Sequence, residues 1–175
     1  EKDNVSIVIL DNLSTGKKQN LLLRENIKFV GGDINKISGM ESMLKEQPFN
    51  YIFHYSAVVG VQRTQDHPLL VFDDIDGIKN IISIALQHNT QRVYFSSSSE
   101  VYGEPVEIPQ HEMTTPLNSK IPYAIVKNVG ESFLRSYQKE FNLNYTILRF
   151  FNTYGPLQSD DFVITKFIKL ALENE

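Results

Sequence analysis

Tyr123 and Lys127 lie four residues apart in "PYAIVK", a spacing that puts both side chains on one face of a helix. An ammonium beside a phenol favours the phenolate and lowers its pKa. A phenol tuned in this way takes or returns a proton near neutral pH. Alone, a Tyr–Lys pair at this spacing is most often surface packing. The stretch "FSSSSEVYG", Phe95 to Gly103, changes its meaning, because four serines directly follow the apolar run "RVYF". A hydroxyl at the end of a strand can hydrogen-bond the same substrate oxygen as the phenol and share its proton. Serine, Tyr123 and Lys127 then form one proton-handling unit.

Strands and helices must alternate to bring such residues together. Runs rich in β-branched and aromatic residues occur at Val5–Leu10, Ile27–Gly32, Tyr51–Ser56, Arg92–Ser97 and Asn144–Phe150. Several are apolar on both faces, as buried parallel strands are. Helical periodicity fills the intervals. It places Ile37, Met40 and Leu44 on one stripe and Val71, Ile75, Ile78, Ile82 and Ala85 on a second. A third carries Val126, Val129, Phe133, Tyr137 and Phe141. Pro68 and Pro122 stand near the start of the last two patterns, where a missing N–H costs nothing. The alternation predicts an α/β fold, a Rossmann-like parallel sheet with helices on both faces. Ligands of such sheets sit beyond the carboxyl ends of the strands. All five predicted strands end in polar residues: "DNLSTG", "GDI", "HYSAVVG", the serine cluster and "RFFNTYGP". Together they point to a ligand crevice along one edge.

Asp11 directly follows the first of these runs. An acidic residue at the end of a second Rossmann-type strand accepts both hydroxyls of an adenosine ribose and repels a 2′-phosphate, which favours NAD over NADP. Asp33 is placed to reach an adenine amino group, or to cap a helix starting near Asn35. No G-x-G-x-x-G or G-x-x-G-x-x-G turn is present to cradle a pyrophosphate. If Asp11 closes a second strand, the first βα unit lies upstream of Glu1. The chain stops inside a helical pattern, "DFVITKFIKLALENE". Residues 1–175 therefore read as a partial NAD-binding domain of a longer protein, lacking the first βα unit and a C-terminal substrate lobe.

Bulk properties narrow the classes. The chain has 175 residues, enough for one domain with a proper core, and 41% of them are apolar. The net charge of −4 is spread over both signs, with no basic stripe for nucleic acid and no polybasic cluster for a membrane. Without cysteine, disulfides and thiolate metal sites are excluded, which fits a reducing, cytoplasmic setting. No metal site is expected.

The set "DNLSTG", "GDI", "HYSA", "FSSSSEVYG", "PYAIVK" and "RFFNTYGP", in this order and at these separations, resembles the NAD-dependent epimerase/dehydratase family. That family is the nucleotide-sugar branch of the extended short-chain dehydrogenases/reductases. The resemblance covers essentially the whole chain. It implies NAD as cofactor and a nucleotide sugar, most commonly a UDP-sugar, as substrate. It also implies a homodimer of the complete protein, built on the helices that begin near Pro68 and Pro122. By the same resemblance Asp11 and Asn12 would contact the adenosine ribose, and Asp33 and Ile34 the adenine. Ser56 and Ala57 match the "AA" of H-x-A-A, against the cofactor, with Ser96 and Ser97 beneath the nicotinamide. Ser98 falls at the catalytic Ser/Thr position, facing the reacting alcohol. Tyr123 and Lys127 match the catalytic pair, and both also touch the cofactor, Lys127 through the nicotinamide ribose. Asn152 matches an asparagine that contacts the sugar nucleotide's diphosphate.

Departures from the pattern are Ser56 for a usual alanine, Asp74 for a usual asparagine and Ile78 for a usual threonine. The stretch Ser98-Ser99-Glu100 is similar to the Thr-Asp-Glu or Thr-Ser-Glu of 4,6-dehydratases and UDP-glucuronate decarboxylases. A carboxylate there would lie near C5 of the sugar, whose proton is acidified once C4 is a ketone. The expected activity is that of a UDP-sugar 4-epimerase working through a 4-keto sugar, in the complete protein rather than in this chain alone. The alternatives are a dehydratase or decarboxylase using Glu100, and a non-catalytic relative or inactive core fragment.

Overall fold

The computed structural model describes residues 5–22, 24–36, 48–59, 64, 66–159 and 162–173. Its strands are β1 (Ile7–Asp11), β2 (Ile27–Gly31), β3 (Tyr51–His54), β4 (Arg92–Ser98) and β5 (Tyr145–Phe150). All five coincide with the predicted runs, and every pairing is parallel. The helix expected around Ile37, Met40 and Leu44 lies outside the described residues, as does Gly60. Helices α1 (Asp74–Gln87), α2 (Pro122–Phe141) and α3 (Val163–Glu173) follow in chain order.

The Rossmann-like sheet comes in two pieces, β1–β2 and β3–β4–β5. In the doubly wound order 3-2-1-4-5-6, these pieces supply positions 3-2 and 4-5-6. The central first strand has no counterpart among the described residues. A small apolar cluster joins the two halves. Ile34 after β2 and Ile84 of α1 pack with Leu10 of β1 and Ile52 of β3.

The main core lies between β4 and helices α1 and α2. Val93 and Phe95 point from β4 into it, as the two-residue period of a strand requires. They meet Ile78, Ile82 and Ala85 of α1 and Val126 and Leu134 of α2. Helix α2 comes so close to β4 that a Cβ at Gly130 would collide with the Phe95 ring and reach Ile78 Cδ1 at 3.1 Å. The other face of the sheet carries an aromatic row, in which Phe53 stacks on Tyr94 with ring centroids 4.5 Å apart.

Two expectations about the helices need correction. The pattern starting at Pro68 is not one helix: Pro68–Asp73 is a 3-10 turn, and α1 starts at Asp74. On α2 the fully buried residues are Ala124, Val126, Lys127, Gly130, Glu131 and Leu134. Val129 is only partly buried and Phe141 is exposed. The predicted stripe assumed that buried means apolar. Lys127 and Glu131 break that assumption because each has partners inside.

Gly103 follows the turn after β4 with a φ of +65°, and a Cβ there would press on the Ser119 backbone nitrogen at 2.9 Å. The segment from 104 to 121 is thereby free to fold back, and Asn118 and Ser119 donate their backbone N–H to the carbonyls of Tyr102 and Val101. Among the described residues, no helix is long and apolar enough to cross a membrane.

Candidate active site

Ser98 is the last residue of β4. Its hydroxyl oxygen accepts the Glu100 N–H at 3.2 Å and so caps the 3-10 turn Ser99–Tyr102. Tyr123 sits in the first turn of α2, just after Pro122. The Ser98 side chain lies near enough to act on its phenol and to lower it. Lys127, one turn later, is buried. Its Nζ donates to the Ser96 carbonyl at 2.6 Å and to the Ser96 Oγ at 3.3 Å. The same nitrogen lies 5.6 Å from the Tyr123 ring centroid and 5.2 Å from that of Phe95. The serine, phenol and ammonium singled out by spacing therefore meet at the carboxyl end of β4.

Their electrostatics differ from the sequence expectation. Burial pushes the Tyr123 phenol up from its usual value; the Ser98 side chain opposes this, and the charges of Asp74 and Glu100 add to it. Lys127 was expected to lower that phenol. Its ammonium is instead turned to the Ser96 carbonyl, and burial is the larger effect on Tyr123. Lys127 itself is lowered to about 8 by burial, against the attraction of Asp74. His54, at the end of β3, is lowered to about 3 by burial and then by the Lys127 charge. It is a neutral imidazole stacked 5.8 Å from Phe95.

A buried amine with its pKa lowered costs stability. Between about 8 and its ordinary 10.5 the unfolded chain holds more of this proton than the folded one. The penalty is fully present below pH 8, and stability from this group rises as pH climbs from 8 to 10.5. We expect Lys127→Met to unfold no more easily at pH 7 and to lack that alkaline gain. Thermal unfolding at pH 7 and pH 9.5 reads both, and a variant clearly weaker at pH 7 refutes the expectation.

The four serines divide their work. Ser97 was expected beneath the cofactor. Strand alternation turns it into the core, where its Oγ donates to Glu131 at 2.7 Å. Glu131 is completely buried and also accepts from Arg135 at 2.6 Å and from Arg149 Nε and Nη2 at 2.9 and 2.7 Å. Arg149, near the end of β5, further donates to the Tyr102 hydroxyl at 2.9 Å and the Glu112 carbonyl at 3.0 Å. One buried carboxylate thus ties β4, β5, α2 and the loop after Gly103 together. The sequence reading missed this network. Its signal was an acid four residues after Lys127 on the same buried stripe.

A second feature opens along the strand ends, a cleft of about 540 Å³. Asp11, Asn12, Asp33, Ile34, Ser56 and Ala57 all line it, within the size range of small-molecule sites. Asp11 uses Oδ1 to accept the Leu13 N–H at 2.6 Å, and Asp33 uses Oδ1 for Asn35 N–H at 3.0 Å. Each carboxylate thus holds its own turn while facing the cleft. Glu100 is exposed at the start of the 3-10 turn, and Asn152 is exposed beyond β5. Neither lines the cleft. Among the described residues, no group of three or more His, Asp or Glu side chains is arranged to hold a metal ion.

The model of the NAD dependent epimerase/dehydratase family matches residues 1–175. The UDP-N-acetylglucosamine 4-epimerase of Methanobrevibacter ruminantium M1, solved with UDP-N-acetylmuramic acid, superposes with a TM-score of 0.86 at 34% identity. The match covers 96% of this chain and 55% of that one. The UDP-N-acetyl-alpha-D-glucosaminuronate decarboxylase of Bacillus cytotoxicus is 33% identical over 97% of this chain and 54% of its own length. A double mutant of the dTDP-glucose 4,6-dehydratase from Streptomyces venezuelae, solved with NAD bound, gives a TM-score of 0.87 at 26% identity. It is covered over 53% of its length, against 97% of this chain. The chain spans about half the length of these relatives.

Proposed function

The chain belongs to the NAD dependent epimerase/dehydratase family, and from that premise we propose that the complete protein is a UDP-sugar 4-epimerase acting through a 4-keto sugar. The observation that carries this is the gathering of Ser98, Tyr123 and the buried Lys127 at the carboxyl end of β4, where the Lys127 Nζ is bonded to the Ser96 carbonyl and lies 5.6 Å from the Tyr123 ring centroid. As a phenolate, Tyr123 takes the proton of the sugar 4-hydroxyl, and Ser98 hydrogen-bonds the same oxygen. When bound, NAD supplies the hydride acceptor for C4. Lys127, with its pKa about 8, carries its positive charge at neutral pH. It holds the nicotinamide ribose from beside Ser96. Tyr123 then returns its proton to the oxygen when the opposite face of the ketone is reduced.

The cleft fits the adenosine half of NAD. Asp11 and Asn12 offer acceptors to ribose hydroxyls, and Asp33 and Ile34 border the place of the adenine. Ser56 and Ala57 form the facing wall. Asn152 takes the substrate diphosphate.

One observation favours a second reading. The Glu100 charge adds to the upward push on Tyr123, so an exposed carboxylate is within electrostatic reach of the proton-handling pair. In that reading Glu100 acts at C5 of the ketone, and the protein is a 4,6-dehydratase or a decarboxylase. Incubating the complete protein with NAD and a panel of nucleotide sugars separates the readings by product mass. An isomer of unchanged mass identifies the epimerase, loss of water the dehydratase, and loss of carbon dioxide the decarboxylase. No turnover of any sugar overturns all three.

The complete protein is further proposed to be a homodimer through the α2 face. A shallow groove there is lined by Ile125, Val129, Ser132, Phe133 and Ser136. Leu69, Leu70 and Phe72 of the preceding 3-10 turn and Ile121 are also exposed. Replacing Ile125 by Glu places a charge in the centre of that face and is expected to give monomers in sedimentation-equilibrium runs. An unchanged dimer mass places the interface elsewhere.

A further inference from the structure

Helix α2 carries Tyr123, Lys127 and Glu131 at four-residue intervals, in one row along its length. The row meets three consecutive serines of β4. Lys127 donates to Ser96, Glu131 accepts from Ser97, and the Tyr123 phenol has the Ser98 side chain near it. Ser96 and Ser97 are fastened to α2 by these bonds. Ser98 is held in another way: its Oγ accepts the Glu100 N–H at 3.2 Å and caps the 3-10 turn Ser99–Tyr102. A hydroxyl has one proton and two lone pairs, so an N–H on one lone pair leaves the proton directed away from the turn. The place of the turn therefore sets where that proton points.

The turn is gripped unevenly. Asn118 and Ser119 reach the Tyr102 and Val101 carbonyls only at 3.4 Å, beyond the usual range of an N–H···O bond. The short bond comes from a side chain. The hydroxyl of buried Tyr102 accepts from Arg149 Nη1 at 2.9 Å, and the guanidinium carbon lies 4.9 Å from the Tyr102 ring centroid. Arg149 pairs with Ser97 in the sheet register, and Glu131 holds it at two points, at 2.9 and 2.7 Å. A chain of bonds thus leaves β4 at Ser97, runs through Glu131, Arg149 and Tyr102, and returns to β4 at Ser98. It passes through α2, the helix that also carries Tyr123.

We propose that Tyr102, gripped by Arg149, is a positioning residue for Ser98: it braces the turn that Ser98 caps and so aims the Ser98 hydroxyl at the sugar oxygen that Tyr123 deprotonates. The catalytic meaning of this inference rests on the function proposed above. Tyr102 acts through Ser98, so its contribution to turnover should vanish when the Ser98 hydroxyl is absent.

Tyr102→Phe removes one oxygen. It leaves the Glu131–Arg149 pair, the Arg149 bond to the Glu112 carbonyl and the ring beside the guanidinium. The complete protein is compared as parent, Y102F, S98A and the double variant. The Glu100 amide is expected to exchange with solvent deuterium faster in Y102F than in the parent. Loss of its acceptor in S98A is expected to do the same, and the double variant to go no further. Turnover is expected to fall about tenfold in Y102F, below the roughly 10²-fold cost of an ångström of misplacement, with sugar KM and NAD affinity unchanged. In the S98A background the same substitution is expected to lower turnover no further. Parental exchange at Glu100 in Y102F overturns the proposal. So does an equal fall in turnover in both backgrounds, which is what a general loosening of the fold produces. Faster Glu100 exchange in a protein that turns over no nucleotide sugar upholds the brace and overturns the proposed function instead.

Discussion

Replacing Tyr123 by Phe in the complete protein is expected to lower turnover by about 10²- to 10⁴-fold, the usual contribution of a positioned acid–base group. At 1.36 kcal/mol per tenfold, this is about 3–5 kcal/mol of transition-state stabilisation. The substitution removes one oxygen atom. It leaves the ring near Lys127, and it leaves Ser98 capping the Ser99–Tyr102 turn through the Glu100 N–H. The residues proposed for adenosine, Asp11 and Asp33 among them, line a cleft that Tyr123 does not line. NAD affinity should therefore be nearly unchanged. Burial holds the phenol above its ordinary range, so parental turnover should rise with pH on its acidic side and the variant should lose that limb. Ser98→Ala should cost less than Y123F, because its hydroxyl shares the proton without being its acceptor. Steady-state kinetics with NAD titrated separately reads all of this. Near-parental turnover in Y123F would refute the base assignment, and a matching loss of NAD affinity would make Tyr123 a binding group.

The strands were legible because their signals are local. A run such as "YIFHY" declares a strand by composition, and parallel pairing follows from the helical intervals between runs. The gathering of Ser98, Tyr123 and Lys127 was legible because two of them share a helix face and a serine cluster ends a strand, the particular serine being the one the family resemblance pointed to. What failed was anything decided by a tertiary partner. Ser96, Ser97 and Ser98 are chemically identical in sequence, yet one meets an ammonium, one a buried carboxylate and one a backbone N–H of the following turn. Alternation along β4 makes that division, but it tells nothing of which partner waits on each side. The expected effect of Lys127 on Tyr123 erred for the same reason. Four residues of helical spacing fix a face, whereas the direction of a long side chain is set by the acceptor it finds, here the Ser96 carbonyl. Asp74 stood out in the sequence as a carboxylate in an unexpected place, but Val58 and Asn35, which donate hydrogen bonds to it, come from two separate strand exits.

The second large effect concerns stability. Replacing Glu131 by Ala is expected to destabilise the complete protein by about 3–5 kcal/mol, as breaking one side of a buried ion pair does. The carboxylate is fully buried, and the Arg149 side chain that faces it is only 8% exposed. Without Glu131 the guanidinium keeps its charge, Ser97 loses its acceptor, and the hold on Tyr102 and on the loop at Glu112 loosens. The pH dependence has a definite sign. Burial would raise the Glu131 carboxyl, but the hydrogen bonds and charges of Arg149, Ser97 and Arg135 outweigh it and leave the group below its ordinary 4.5. A carboxyl lowered on folding contributes stability that is present above its unfolded value and is lost as pH falls through the folded one. The gap between parent and E131Q should therefore be widest near neutrality and should close in acid below pH 4.5. Removing both partners, as in Glu131→Leu with Arg149→Met, should cost clearly less than the sum of the single losses, because no charge is left unpaired. Urea unfolding across this cycle measures the coupling. Strict additivity would mean that Glu131 and Arg149 act as two independent anchors, and the single carboxylate would lose its place as the tie between the serine strand and the loop above it.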